Sequence, residues 1–307
     1  MRWWVVVWIG LTACGRLNFD PLGGGSAGAD ADTSMPLTTM WLFGGSDGTT
    51  TQGQVWRTDD GVNWAPVGTL PSPRSRGAVF YAGGRLLFMG GAMGQGTAFD
   101  QIWESSDGAT WTQIGTLPLA LGGMGYCEFL GRLWLVGGDT AGGTSTDVVR
   151  SSTDGVTWQT IGNVPYPVHG GVLVVLGGRM YLVAGHNSAF LNTVISSADG
   201  VTWRTEPSLM GAREYHGVTT IQGQIWSAGG TPSFDDVRAL TGTTWTRKGT
   251  LPAVADHAFL ADYRGRIWLV SGAAGSVLTS SDGASWVEEA TLPGPRSYFN
   301  ALVTPAL

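Results

Sequence analysis

The chain has one lysine, four histidines and two cysteines in 307 residues, and only 13% of its residues are charged. Each shortage excludes something. With 17 lysines and arginines against 23 aspartates and glutamates, the formal net charge is −6. No basic stripe exists to neutralise phosphates, which excludes nucleic acid as a partner. The N-terminal apolar run, Trp3 to Ala13, is too short for a membrane span, which takes about 20 residues. Cys127 lies inside an apolar run, Tyr126 to Leu130, and reads as a buried, inert thiol rather than a catalytic or disulfide-bonded one.

Arg2 followed by that short apolar run has the proportions of a secretory signal. The run ends in Leu11-Thr12-Ala13-Cys14-Gly15, which resembles the lipobox of bacterial lipoproteins, where cleavage before the cysteine leaves it as the lipidated first residue. The expected layout is a signal peptide over residues 1–13, then a lipidated Cys14 and flexible tether over 14–37, rich in Gly, Ala, Asp and Ser from Gly23 to Ser34. The folded domain occupies 38–307. The resemblance implies a bacterial cell-envelope location, at the outer membrane or cell surface, because in a Gram-negative host Gly15 is not the aspartate that marks inner-membrane retention. The membrane is then a partner through the lipid anchor alone.

What the chain has in abundance is glycine, 49 residues, and tryptophan, 15 residues, a composition of many short strands joined by tight turns. Five copies of D-G-x-x-W run from Asp60 to Trp64, Asp107 to Trp111, Asp154 to Trp158, Asp199 to Trp203 and Asp282 to Trp286, and a sixth, Thr241 to Trp245, has lost the aspartate. Successive tryptophans are 47, 47, 45, 42 and 41 residues apart, the period of a four-stranded propeller blade. In the second repeat, strands are expected at Arg76 to Ala82, Arg85 to Met89, Gln101 to Ser105 and Thr110 to Ile114. Asp-Gly between the last two predicts a tight primed hairpin turn, with the aspartates as turn formers accepting backbone N–H bonds. The tryptophan after each turn is expected to pack between neighbouring blades. Trp56 and Trp103, on third strands, are expected to be more exposed.

The order of apolar strand, glycine pair, N/D-x-V/I-W phrase, turn, tryptophan and L-P phrase resembles kelch repeats, the blades of kelch and galactose-oxidase-type propellers. The glycine pairs are Gly44-Gly45, Gly90-Gly91, Gly137-Gly138 and Gly229-Gly230, with departures at Ala184-Gly185 and Ser271-Gly272; the L-P phrases stand at Leu70-Pro71, Leu117-Pro118, Leu251-Pro252 and Leu292-Pro293. The fold expected over 38–307 is all-β: a six-bladed β-propeller of four-stranded antiparallel blades. Ser297 to Thr304 reads as a first strand with no second, and Thr38 to Gly45 as a second with no first. Pairing them closes the ring and removes exposed edges.

In such a ring the segments before the first strands share one face with the loops after the glycine pairs. Candidate ligand-binding residues on this mouth are Arg74, Arg76, His169, Arg213, Glu214, Tyr215, His216, Asp256, His257, Arg296 and Tyr298, with Ser75, Ser297 and His186 nearby. All four histidines fall on this face. Arg213 to His216 also matches an R-x-x-H-like phrase that kelch blades use for packing. A copper radical centre of the galactose-oxidase type is excluded, since Cys127 is inside a strand and lacks the neighbouring histidines and tyrosine. Zinc held by His169, His216 and His257 requires a convergence that sequence does not show, so no metal and no cofactor are expected. The leading reading is a monomeric, non-catalytic binding module for a protein or glycan. The alternative implied by the resemblance is an enzyme of acidic sugars, such as a sialic acid mutarotase. In it, Arg74, Arg213 and Arg296 grip a carboxylate, while Glu214, Asp256, His216 or Tyr298 supplies acid–base capacity.

Overall fold

The computed structural model describes residues 38–94 and 96–305. The expected signal peptide, Cys14 and tether lie outside the described residues. Six four-stranded antiparallel sheets form the six blades. From inside outward, the second blade is Ala78–Ala82, Arg85–Met89, Gln101–Ser105 and Thr112–Thr116. The inner strands of blades three to six are Gly125–Phe129, Val172–Leu176, Gly217–Ile221 and Ala258–Tyr263. The first blade takes its inner strand from the other end of the chain: Asn300–Thr304 pairs antiparallel with Thr39–Ser46. Each inner strand neighbours the next in a closed cycle, so the expected closure is realised. Trp41 Nε1 donates to Thr304 Oγ1 across it at 3.0 Å.

The apolar residues collect between blades rather than inside them. Six buried clusters occupy the six interfaces. In one, Trp41 and Phe43 of the first blade pack on Val79 and Phe88 of the second. Each repeat tryptophan joins the cluster shared with the preceding blade, as Trp158 does against Leu87. Trp56 and Trp103 are half-buried, as Trp64 and Trp111 are, and Trp56 packs in the sixth-to-first interface under the Arg296 guanidinium.

Backbone bonds also stitch the blades. Gly138 N donates to Val168 O of the next blade at 2.8 Å, and a Cβ on Gly137, at φ +65°, would lie 2.1 Å from that same oxygen. The glycine pair is therefore required by the close approach of two backbones. The D-G-x-x-W turns differ from the expected primed hairpin. Glu104 pairs with Thr112, leaving a longer loop in which only Gly108, not Asp107, has positive φ, whereas a type I′ turn needs both. Asp107 Oδ1 accepts the backbone N–H groups of Ala109 and Thr110, each at 2.8 Å. Thr110 is thus held in the turn, and the fourth strand starts two residues later than expected. Two such donors hold the Asp199 carboxyl down to about 2. Among the six copies the tight hairpin occurs in the degenerate one of the fifth blade alone, where Thr241 pairs directly with Thr244.

Candidate functional site

Four consecutive residues lead into each inner strand, and the backbone assigns each a direction. The first of the four is Arg74, Leu121, Val168, Arg213, Ala255 or Arg296, and all six are buried. The third is Arg76, Gly123, Gly170, Tyr215, His257 or Tyr298, and every one has φ between +46° and +72°. This left-handed kink turns the chain into the channel. Arg76 N donates to Tyr298 O, Gly123 N to Arg76 O, Gly170 N to Gly123 O and Tyr215 N to Gly170 O, at 2.7 to 2.9 Å. Backbone hydrogen bonds thus link five of the six kinked positions around the mouth. Four of the six kinked positions carry large side chains at a conformational cost of order 1–3 kcal/mol each.

This alternation corrects four of the expected site residues. Arg74, Arg213 and Arg296 stand at the first position and point into the blades, where their Nη1 atoms donate to Gly90 O, Gly229 O and Gly44 O. Phe99, Phe234 and Trp56 cover the guanidinium groups, and Arg213 also pairs with Asp236 at 2.7 Å. They clamp the glycine pair of their own blade and cannot grip a ligand at the mouth. His216, at the fourth position, is 1% exposed, and burial together with the nearby Arg213 charge pushes its imidazole down to about 3.

The remaining residues converge. A cleft of about 230 Å³ is lined by Arg76, Asp139, His169, Glu214, Tyr215 and Tyr298, with Ala92, Gly96, Thr97 and Ala98 along one side. His169 Nδ1 faces Asp139 Oδ1 at 3.0 Å, and Ser145 Oγ, also 3.0 Å from Nδ1, donates to the same carboxylate oxygen at 2.8 Å. His169 Nε2 is 3.2 Å from Glu214 Oε2. Burial opposes charge on His169, but the two carboxylates outweigh it and push the imidazole up to about 9; His169 is a cation at neutral pH. Arg76 Nη1 stands 3.8 Å from Asp139 Oδ2, and its guanidinium lies over the Tyr298 ring.

Beneath the cleft runs the channel lined by the inner strands, and Arg76, Tyr215 and Tyr298 border both spaces. His257 is on the channel side, its ring 3.9 Å from Tyr298 and held neutral by burial, at about 4. Asp256 does not line the cleft; burial raises its carboxyl. Glu128 projects into the channel, where burial pushes its carboxyl up to about 8. Asp139 and Ser145 escaped the sequence reading, although Asp139 directly follows Gly137-Gly138 as His186 follows Ala184-Gly185, and that signal could have found it.

The comparisons with known proteins agree with this architecture. The family model described as DUF6242 beta propeller domain matches residues 30–161. No curated protein matches the chain. A solved structure titled "Structure of YjhT" is similar, with a TM-score of 0.66 and 14% identity over 83% of this chain and 98% of that one. At that identity the likeness shows a shared propeller fold.

Proposed function

We propose that the mouth cleft binds a small, hydroxyl-rich ligand of the carbohydrate class. The observation that carries this reading is the charge-balanced set inside it: two cations, Arg76 and His169, face two carboxylates, Asp139 and Glu214, with Tyr215 and Tyr298 as aromatic walls. Alternating donors and acceptors suit hydroxyl groups, and aromatic faces suit the apolar face of a sugar ring. With Arg74, Arg213 and Arg296 turned inward, the excess of positive charge that would favour an acidic sugar is gone. Neutral sugars are therefore favoured over acidic ones. The cleft is small beside common ligand pockets of about 300–1,000 Å³, which suits a monosaccharide-sized ligand. Together with the lipobox-like sequence ending at Cys14, this reading makes the protein an envelope-anchored sugar-binding module.

A carbohydrate-active enzyme is the second reading, and the contact between Glu214 and His169 favours it. The pair is a carboxylate and an imidazolium 3.2 Å apart at the edge of a cleft, able to accept and return a proton. Thermal unfolding of the full chain against neutral and acidic monosaccharides tests both readings. Stabilisation by a neutral sugar, lost in Arg76→Ala and in Glu214→Gln, is expected. Exchange of that sugar's anomers, followed by NMR, then separates catalysis from binding. No shift with any monosaccharide would overturn the ligand class.

A further inference from the structure

We propose that His169, His186 and Glu214 form a binding site for a divalent transition metal of the zinc class at the propeller mouth. Two independent features of the backbone bring these side chains together. His169 and His186 exchange both main-chain hydrogen bonds, at 2.9 and 2.8 Å, so their rings stand side by side with centroids 5.0 Å apart. Glu214 comes from the next blade through the gap left by Gly170. One ligand atom from each of the three residues lies within 4.8 Å of the other two.

Several details fit a metal site. The 3.2 Å between His169 Nε2 and Glu214 Oε2 is close to the edge of a tetrahedron with metal–ligand bonds of about 2.0–2.1 Å, roughly 3.3 Å. Asp139 faces the other ring nitrogen of His169, the carboxylate–histidine support that orients a metal ligand. His186 Nδ1 is buried without a hydrogen-bond partner, a cost that a bound cation removes. Two imidazoles and one carboxylate select zinc and its neighbours over calcium or magnesium, which take oxygen ligands. Three protein ligands beside an open cleft are the pattern of a zinc site that keeps a position for water or a ligand. Binding displaces the proton that His169 otherwise holds between its carboxylates. From the sequence no metal is expected, and the zinc set it offers is His169 with His216 and His257. The fold separates those three and brings His186 instead.

This inference goes beyond the sugar reading, and metal alone tests it. The full chain, purified without a histidine tag, is titrated with Zn²⁺ by calorimetry and with Co²⁺ by visible absorption, with metal-free unfolding recorded for every variant. One saturable site is expected, without the charge-transfer band of a thiolate ligand. His186→Ala and Glu214→Gln should each abolish it, and Asp139→Asn should weaken it about 10–100-fold while keeping one site. Absence of saturable binding in the natural chain overturns the proposal whatever the variants do, as does binding that survives both His186→Ala and Glu214→Gln. A sugar-induced stabilisation in a chain that takes no metal would sink this inference and leave the sugar reading standing.

Discussion

A methyl group on Gly170 would sit 2.6 Å from Glu214 Oε2, so the missing side chain in the fourth blade is what admits the carboxylate of the fifth to His169. Gly123 plays the same part for Tyr215, whose hydroxyl would lie 3.0 Å from an added Cβ. Where four blades put large side chains at the kinked position, two put nothing, and the cleft opens on that side.

Gly170→Ala tests that relationship. At φ +63°, alanine is strained by about 1–2 kcal/mol, a modest loss visible as a lower denaturation midpoint. Ligand-induced stabilisation should fall much further, because Glu214 is displaced from His169. A variant that binds like the natural chain would show that this contact is incidental.

The two arginine positions should separate cleanly. Arg213→Ala leaves the buried Asp236 carboxylate with Arg238 alone and takes a donor from Gly229 O, and should cost about 1.5–3 kcal/mol, read from urea unfolding with an unchanged slope. Arg76→Ala, half-buried at the mouth, should leave stability within about 1 kcal/mol and remove ligand binding. The reverse pattern would return the inward arginines to the site.

Much of this was legible in the sequence because repeat spacing constrains a propeller strongly. The tryptophan period, the glycine pairs and the split first blade led to six blades and to their closure. The mouth was legible as a region, since Glu214, Tyr215, His169 and Tyr298 sit where the repeat alignment puts them. What the alignment could not show is direction. Adjacent residues such as Arg213 and Glu214 occupy one aligned segment, yet neighbouring side chains alternate in direction, one buried in the blade and the other at the cleft. Asp139 and His186 meet His169 across a loop and a strand end, contacts that depend on three-dimensional register rather than on any repeat.

Stability should peak near pH 6.5. Unfolded histidines titrate near 6.5. With His169 pushed up to about 9, its contribution is complete below 6.5 and is lost as pH rises through about 9. His216 and His257, buried and held at about 3 and 4, act in the opposite sense: the unfolded chain takes up protons they refuse, so stability falls as pH drops from 6.5 toward 4. Melting temperature against pH should therefore bend down on both sides. His169→Gln should reduce the slope on the alkaline side, where Glu128, pushed up to about 8 by burial, contributes the rest, and His257→Gln should reduce the slope on the acid side.

Ending the chain at Pro295 removes the inner strand of the first blade and exposes Thr39–Ser46 as an edge. Cooperative melting should be lost in circular dichroism, since Trp41 and Met40 lose part of their cover. A native melt from that shortened chain would contradict the closure.

The chain's four histidines make one spectrum decisive. Imidazole ¹⁵N–¹H correlations of the full chain are followed while the stabilising monosaccharide is added. Binding at the mouth predicts that His169 and His186 signals move and saturate together, while His216, sealed in the fifth blade, stays still. If the sugar binds and neither His169 nor His186 responds, the ligand sits elsewhere and the cleft is not its site.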